Sequence, residues 1–241
     1  MIVIPARLNS SRFENKILVD ILGLPMVIKT AMQVSALDKV VIATDSLEVL
    51  DLAKIHGYEA VLTSNTHQSG TDRINEAVNK LDLPDDEIII NVQADEPFIE
   101  PEVVKAVINR VKEVKKNNEN TMIVSCYKKI TSDLADDPNH VKVILDENSK
   151  AIYFSRAKVP YHRDHYENSS YNGHLGIYGF TKKSLNDFCS LKPSKLEKIE
   201  KLEQLRAIDN GYSIAMVEVD SKSFGIDTQE DLENALRIFK K

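Results

Sequence analysis

The sequence predicts an α/β protein built on a doubly wound, mostly parallel sheet, and three observations carry that expectation. Short apolar runs recur through the first half of the chain without the polar alternation of a half-exposed strand. Between them lie segments whose apolar residues repeat at helical spacing. The two kinds of segment alternate, which is the pattern of βαβ units joined by right-handed crossovers.

Taken in order, "MIVI" opens the chain as a short buried strand, and "KVVIAT" (39–44), "EAVLT" (59–63) and "EIIINV" (87–92) repeat it. Residues 25–37 and 47–55 are the helices expected between the first three strands. Ile74, Ala77, Val78 and Leu81 form one stripe at i, i+3, i+4, i+7. Val103, Val104, Val107, Ile108 and Val111 form another, with Pro101 at a first helical position that tolerates it.

The second half is less regular. Residues 140–156 read as two strands joined by a turn at 146–150, and "YNGHLGIYGF" (171–180) reads as a further strand whose glycines permit close backbone approach. Leu196, Ile199, Leu202, Leu205 and Ile208 mark one helix stopped by Gly211, and a last helix starts at Thr228 with Asp231 completing an imperfect capping box. With no repeat and no Pro/Gly-rich linker, residues 1–241 are expected to be one domain with an antiparallel arm at about 141–180.

Composition narrows the function. A chain of 241 residues with net charge −6 and no basic block is a poor general partner for nucleic acid. No stretch nears the ~20 apolar residues that span a bilayer, so membrane insertion is not expected. "MIVIP" has neither the basic nor the apolar region of a secretion signal. Cys126 and Cys189 lack metal or redox spacing, as thiols of a reducing cytosol do. A cytoplasmic protein is the expectation.

Chemistry concentrates where the strands end, since ligands of such sheets bind at the carboxyl edge. After the first strand comes "PARLNSSRFENK" (5–16), a loop with no glycine but with Arg7, Arg12 and Lys16. Three cations in ten residues suit a triphosphate, arginine as a planar fork and lysine as a movable point charge. The plain alternative is a solvated loop. In "SGTDR" (69–73), Ser69 and Gly70 begin a helix whose N–H groups, with Arg73, can face a ligand, or they form only an ordinary cap. "NVQADEPFI" (91–99) places Gln93, Asp95 and Glu96 at a strand end opposite the cationic loop, where a phosphate-bound Mg²⁺ needs carboxylate oxygens. Asp227 in "GIDTQEDL" offers a second carboxylate from a distant segment, unless it merely caps the last helix. His162 and His165 in "HRDHYE" lack other spaced ligands and read as a solvated loop rather than a zinc site.

In their order along the chain, "IPARLNSSRFENK", "ATD", "HQSGTDRI", "NVQADEP", "VKVILD", "YFSRAKVPY", "GHLGIYGF", "LEKIEKLEQLRAIDNG" and "GIDTQEDL" resemble the 3-deoxy-manno-octulosonate cytidylyltransferase (CMP-KDO synthetase) family essentially end to end. The resemblance implies a nucleotidyltransferase of the glycosyltransferase-A type, a homodimer, that moves CMP from CTP to the 2-hydroxyl of the acidic sugar KDO. It implies that Arg7, Arg12 and Lys16 hold the triphosphate and stabilise the departing pyrophosphate. Ser69, Gly70, Arg73 and Gln93, with the Ala6 backbone, would hold the cytidine, and Asp95 and Asp227 would ligate Mg²⁺. Arg156, Arg163, His174, Tyr178, Glu203 and Gln204 would form the sugar-acid side. An arginine pairs with a carboxylate, and the others supply mixed donors and acceptors for hydroxyls.

One departure stands in "QADEP", where the family has glycine and this chain has Ala94. If that position needs positive φ, alanine carries strain of ~1 kcal/mol or more. Two alternatives remain: a CMP-sugar synthetase for another acidic sugar, such as a sialic acid or 8-amino-KDO, and a non-catalytic nucleotide-binding scaffold.

Overall fold

In the computed structural model, which describes residues 1–8, 13–164 and 170–239, the expected apolar runs pair in parallel. The chain divides into two units, Met1–Lys105 with Ser221–Lys241, and Ala106–Asp220. The first begins with β1 (Ile2–Ala6), the short strands β2 (Asp20–Ile21) and β3 (Leu24–Pro25), and α1 (Met26–Val34). It continues through β4 (Val40–Thr44), α2 (Leu47–Ile55), β5 (Glu59–Leu62), α3 (Gly70–Lys80), β6 (Ile88–Asn91) and α4 (Pro101–Lys116), which runs on past Lys105. Four of its strands lie in the order β6-β1-β4-β5, all parallel, and β2 and β3 pair antiparallel in a sheet of their own. β1 and β4 are buried along their whole length, which is why their sequences show no alternation. The chain moves from β1 to β4 and β5 and then returns to the other side of β1 for β6. That reversal opens a crevice at the carboxyl ends of β1 and β6.

The second unit contains β7 (Ile123–Ile130), α5 (Ser132–Asp136), β8 (Lys142–Leu145), β9 (Ala151–Ser155), β10 (Tyr171–Thr181), α6 (Lys182–Ser190), α7 (Lys195–Glu200), α8 (Leu205–Asp209) and β11 (Ile214–Glu218). β10 pairs antiparallel with β7 and β8, β8 pairs antiparallel with β9, and β11 joins β7 in parallel. The expected antiparallel segment at 141–180 is therefore present. The chain then re-enters the first unit, where α9 (Gln229–Phe239) packs Leu232 and Ala235 into a cluster with Ile21, Met26, Phe98 and Ile226. Phe98 and Phe239 stack with centroids 4.6 Å apart.

One expected element is corrected. The helix over 196–208 is two helices, because Lys201 takes a left-handed conformation at φ 54°. Its apolar residues recur every third position, and on an α-helix each such step drifts by about 60°, so no single face can bury them all. The break lets Leu202 and Leu205 go inside and leaves Ile199 66% exposed. Buried Arg206 spans the break, donating from Nε and Nη2 to the two oxygens of Glu197 at 2.9 and 2.6 Å.

Candidate active site

Eight of the expected ligand residues line one cavity of about 320 Å³ in the first unit: Arg7, Lys16, Ser69, Gly70, Arg73, Gln93, Asp95 and Asp227. The elements explain the meeting. Arg7 follows the end of β1, Gln93 and Asp95 follow the end of β6, and Ser69 and Gly70 open α3. Asp227 arrives from the segment before α9, whose capping box is made by the next residues: Thr228 Oγ1 accepts from the Asp231 N–H, and Asp231 Oδ2 accepts from the Thr228 N–H. Capping thus falls to Thr228 rather than to Asp227, and the Asp227 carboxylate turns to Lys16.

Lys16 Nζ donates to Asp95 Oδ2 at 2.6 Å and to Asp227 Oδ1 at 2.7 Å. Both carboxylates therefore come within reach of one cation although ~130 residues separate them in sequence. Burial disfavours the Lys16 ammonium, but the charges and hydrogen bonds of Asp95 and Asp227 outweigh it and raise its pKa above the usual lysine value. Glu96 does not join them. It is buried, and its Oε2 accepts from Ser223 Oγ at 3.4 Å.

Ser69 caps α3 by accepting from the Asp72 N–H at 3.1 Å, so the cap reading holds and the residue lines the cavity as well. A Cβ at Gly70 would stand 3.1 Å from Pro5 Cγ, so glycine allows α3 to begin tight against the end of β1. Arg73 is only 2% exposed and is held by protein: Nη1 donates to Thr63 Oγ1 at 2.6 Å and to the Ser64 carbonyl at 3.3 Å, and Nη2 to Asp45 Oδ2 at 2.8 Å. Asp45 also accepts from the Leu8 N–H at 3.3 Å, which ties the start of the cationic loop to α3. Ala94 is not among the described residues of positive φ, so the strain considered for it is absent. Its carbonyl accepts from Thr30 Oγ1 at 2.9 Å. Arg12 falls outside the described residues, and so does His165. Ala6 is buried as the last residue of β1.

Sequence reasoning passed over His67, Gln68, Pro5 and Ile17, which also line the cavity. The place of His67 and Gln68 just before the α3 cap was the available signal. His67 Nε2 meets Glu76 Oε2, and Glu76 also accepts from the Ser64 N–H at 2.9 Å and pairs with Lys80 at 2.7 Å. Burial alone would raise the Glu76 pKa, but these partners bring it down to about 2.

Among the expected sugar residues, all in the second unit, His174, Tyr178 and Gln204 adjoin. The His174 and Tyr178 rings lie 5.6 Å apart, and Tyr178 Oη donates to Gln204 Oε1 at 3.1 Å. Burial, and next the charge of Glu203, push the Tyr178 phenol well above its usual pKa, so it remains a donor. Gln204 is 2% exposed, and its Nε2 has no hydrogen-bond partner among the described residues. Arg156 directs its guanidinium to backbone carbonyls of Glu200, Pro138 and Lys201 at 2.7, 3.0 and 3.4 Å. Buried Lys142 donates in turn to the Arg156 carbonyl at 2.7 Å. Arg163 lies exposed in a turn. His162 packs its ring on Tyr171 at 5.0 Å instead of being a solvated residue.

A cytidylyltransferase family model matches residues 1–216. The 3-deoxy-manno-octulosonate cytidylyltransferase of Wolinella succinogenes is 51% identical over 99% of both chains, and that of a Nitratiruptor species is 58% identical over 97% of both. A solved structure of CMP:2-keto-3-deoxy-manno-octonic acid synthetase complexed with CTP has a TM-score of 0.89 at 36% identity, covering 99% of this chain and 97% of that one.

Proposed function

The chain belongs to the cytidylyltransferase family, among the 3-deoxy-manno-octulosonate cytidylyltransferases, and from that premise we propose that it transfers CMP from CTP to the 2-hydroxyl of KDO, releasing pyrophosphate. The observation that carries the chemistry is the convergence of Asp95 and Asp227 on a single ammonium at the crevice edge. Two carboxylates gripping one cation are a hard-oxygen donor pair, and with phosphate oxygens and waters completing the set they fit Mg²⁺. Held there by Asp95 and Asp227, Mg²⁺ would supply stabilisation of phosphate charge and would lower the pKa of a neighbouring hydroxyl.

The protein's own groups do the rest. Arg7 and Arg12 hold triphosphate oxygens, and Lys16 releases the carboxylates and follows the charge that gathers on the leaving pyrophosphate. Gln93 and the N-terminal turn of α3 hold the nucleoside. Arg73 acts through the walls it braces, Thr63, Ser64 and Asp45. In the second unit His174, Tyr178, Glu203 and Gln204 orient the sugar by its hydroxyls. The 2-hydroxyl gives up its proton to water as its oxygen forms the new P–O bond in line with the leaving group; the α–β P–O bond breaks and pyrophosphate takes the electron pair, with no covalent enzyme intermediate.

The same reading makes the protein a cytoplasmic homodimer that activates KDO for lipopolysaccharide synthesis. Thiols at Cys126 and Cys189, not joined in a disulfide, suit a reducing compartment. No described helix is long and apolar enough to cross a membrane. The test is the specificity constant kcat/KM for pyrophosphate release with CTP and Mg²⁺ over KDO, 8-amino-KDO and sialic acid. KDO should rank first; binding of CTP without turnover on any of them would favour a scaffold.

A further inference from the structure

Ser125 sits in the middle of β7, wholly buried, where no ligand can reach it. The bulge in β10 between Leu175 and Tyr178 brings two main-chain carbonyls to its hydroxyl, Ile177 O at 2.8 Å and Leu175 O at 3.3 Å. His174 Nε2 stands 2.9 Å from the same oxygen. A serine hydroxyl has one proton to give. If that proton went to His174, the serine lone pairs would face the Ile177 carbonyl at 2.8 Å, acceptor against acceptor in a dry site, which is costly. The hydroxyl therefore donates to the carbonyls, and His174 must donate Nε2–H to it.

We infer that Ser125 is a positioning residue of the sugar subsite: it holds His174 as the Nε2–H tautomer and so presents Nδ1 as an acceptor for a sugar hydroxyl. The inference rests on the proposed role of His174 in binding the sugar. Burial supports it independently, lowering the His174 pKa to about 3, so the ring is neutral at pH 7 and Nδ1 keeps its lone pair. The ring is also fixed in place, edge-on to Phe154 at 4.8 Å and tilted against Tyr178. The tautomer, set by one buried hydroxyl, then decides whether this position accepts from the sugar or donates to it.

The test combines ¹⁵N-histidine NMR with kinetics on the wild type and Ser125→Ala. The wild type should show His174 as the Nε2–H tautomer without any ligand, and the variant a mixture. The KM for KDO should rise roughly 10-fold, as for loss of one oriented hydrogen bond, while the CTP dissociation constant stays within about twofold. An Nδ1–H tautomer in the wild type, or an unchanged KM in the variant, overturns the inference. Should Ser125→Ala fail to fold, His174→Asn and His174→Gln decide the matter. Asparagine puts its amide oxygen near the Nδ1 position and should keep the lower KM for KDO; the reverse order overturns the inference. An active wild type with Nδ1–H at His174 sinks this inference alone, whereas a wild type inactive on KDO sinks the reaction.

Discussion

Replacing Lys16 with methionine should make the protein bind a divalent metal more tightly and yet work far more slowly. In the structure the Lys16 side chain is 10% exposed, between Asp95 at 27% and Asp227 at 40%. Without the ammonium, two facing carboxylates repel by ~2–4 kcal/mol at an effective dielectric of ~20. Solvent at Asp227 screens this to about 1–2 kcal/mol. A metal ion then relieves that repulsion without first displacing a resident cation, which corresponds to roughly 10-fold tighter binding. Turnover moves the other way, because the leaving pyrophosphate loses its mobile counter-charge, at ~2–4 kcal/mol of barrier or roughly 30- to 1000-fold in kcat. Titration of Mn²⁺ by electron paramagnetic resonance without nucleotide, together with kcat and the CTP dissociation constant at saturating Mg²⁺, reads both. Equal or weaker Mn²⁺ binding in Lys16→Met would refute the shared cation position. A large loss of CTP affinity with kcat intact would leave Lys16 only an anchor.

Three further outcomes follow from the same geometry. Asp95→Asn and Asp227→Asn should each depress kcat much more than CTP binding, since the charge they help stabilise grows in the transition state; equal losses in both constants would contradict this. Glu76, with its pKa depressed to about 2, contributes stability that is present above the usual value near 4.5 and lost as pH falls through about 2. Urea unfolding should therefore find Glu76→Gln weaker by ~1 kcal/mol at pH 7 once solvent screening of the pair with exposed Lys80 is allowed for, with the gap narrowing by pH 2.5; a gap independent of pH would count against the ion network. The proposed homodimer should appear as a dimer in sedimentation, and a concentration-independent monomer would exclude it.

The parallel strands β1 and β4 were legible because burial on both faces removes polar residues, as at Val40–Thr44. β7 was not, since Ser125 interrupts its apolar run and Lys128 and Lys129 close it. Missing β7 also hid Ser125, whose role exists only through a bulge in another strand. The carboxylates Asp95 and Asp227 could be picked out from their positions after strand and turn. Their convergence depended on Thr228 and Asp231 taking over the helix cap. Arg73 and Arg156 show the opposite limit: both are ligand-like in sequence, but their partners are a carboxylate, hydroxyl and carbonyls brought close by the fold.

The most direct test of CMP transfer is a ³¹P NMR record of CTP, KDO and Mg²⁺ incubated with the protein. The α-phosphorus signal of CTP should give way to that of a CMP–sugar phosphodiester, with one pyrophosphate formed for each CTP consumed. Formation of CDP and inorganic phosphate instead, or an unchanged CTP spectrum under conditions where the nucleotide is shown to bind, would contradict the assignment.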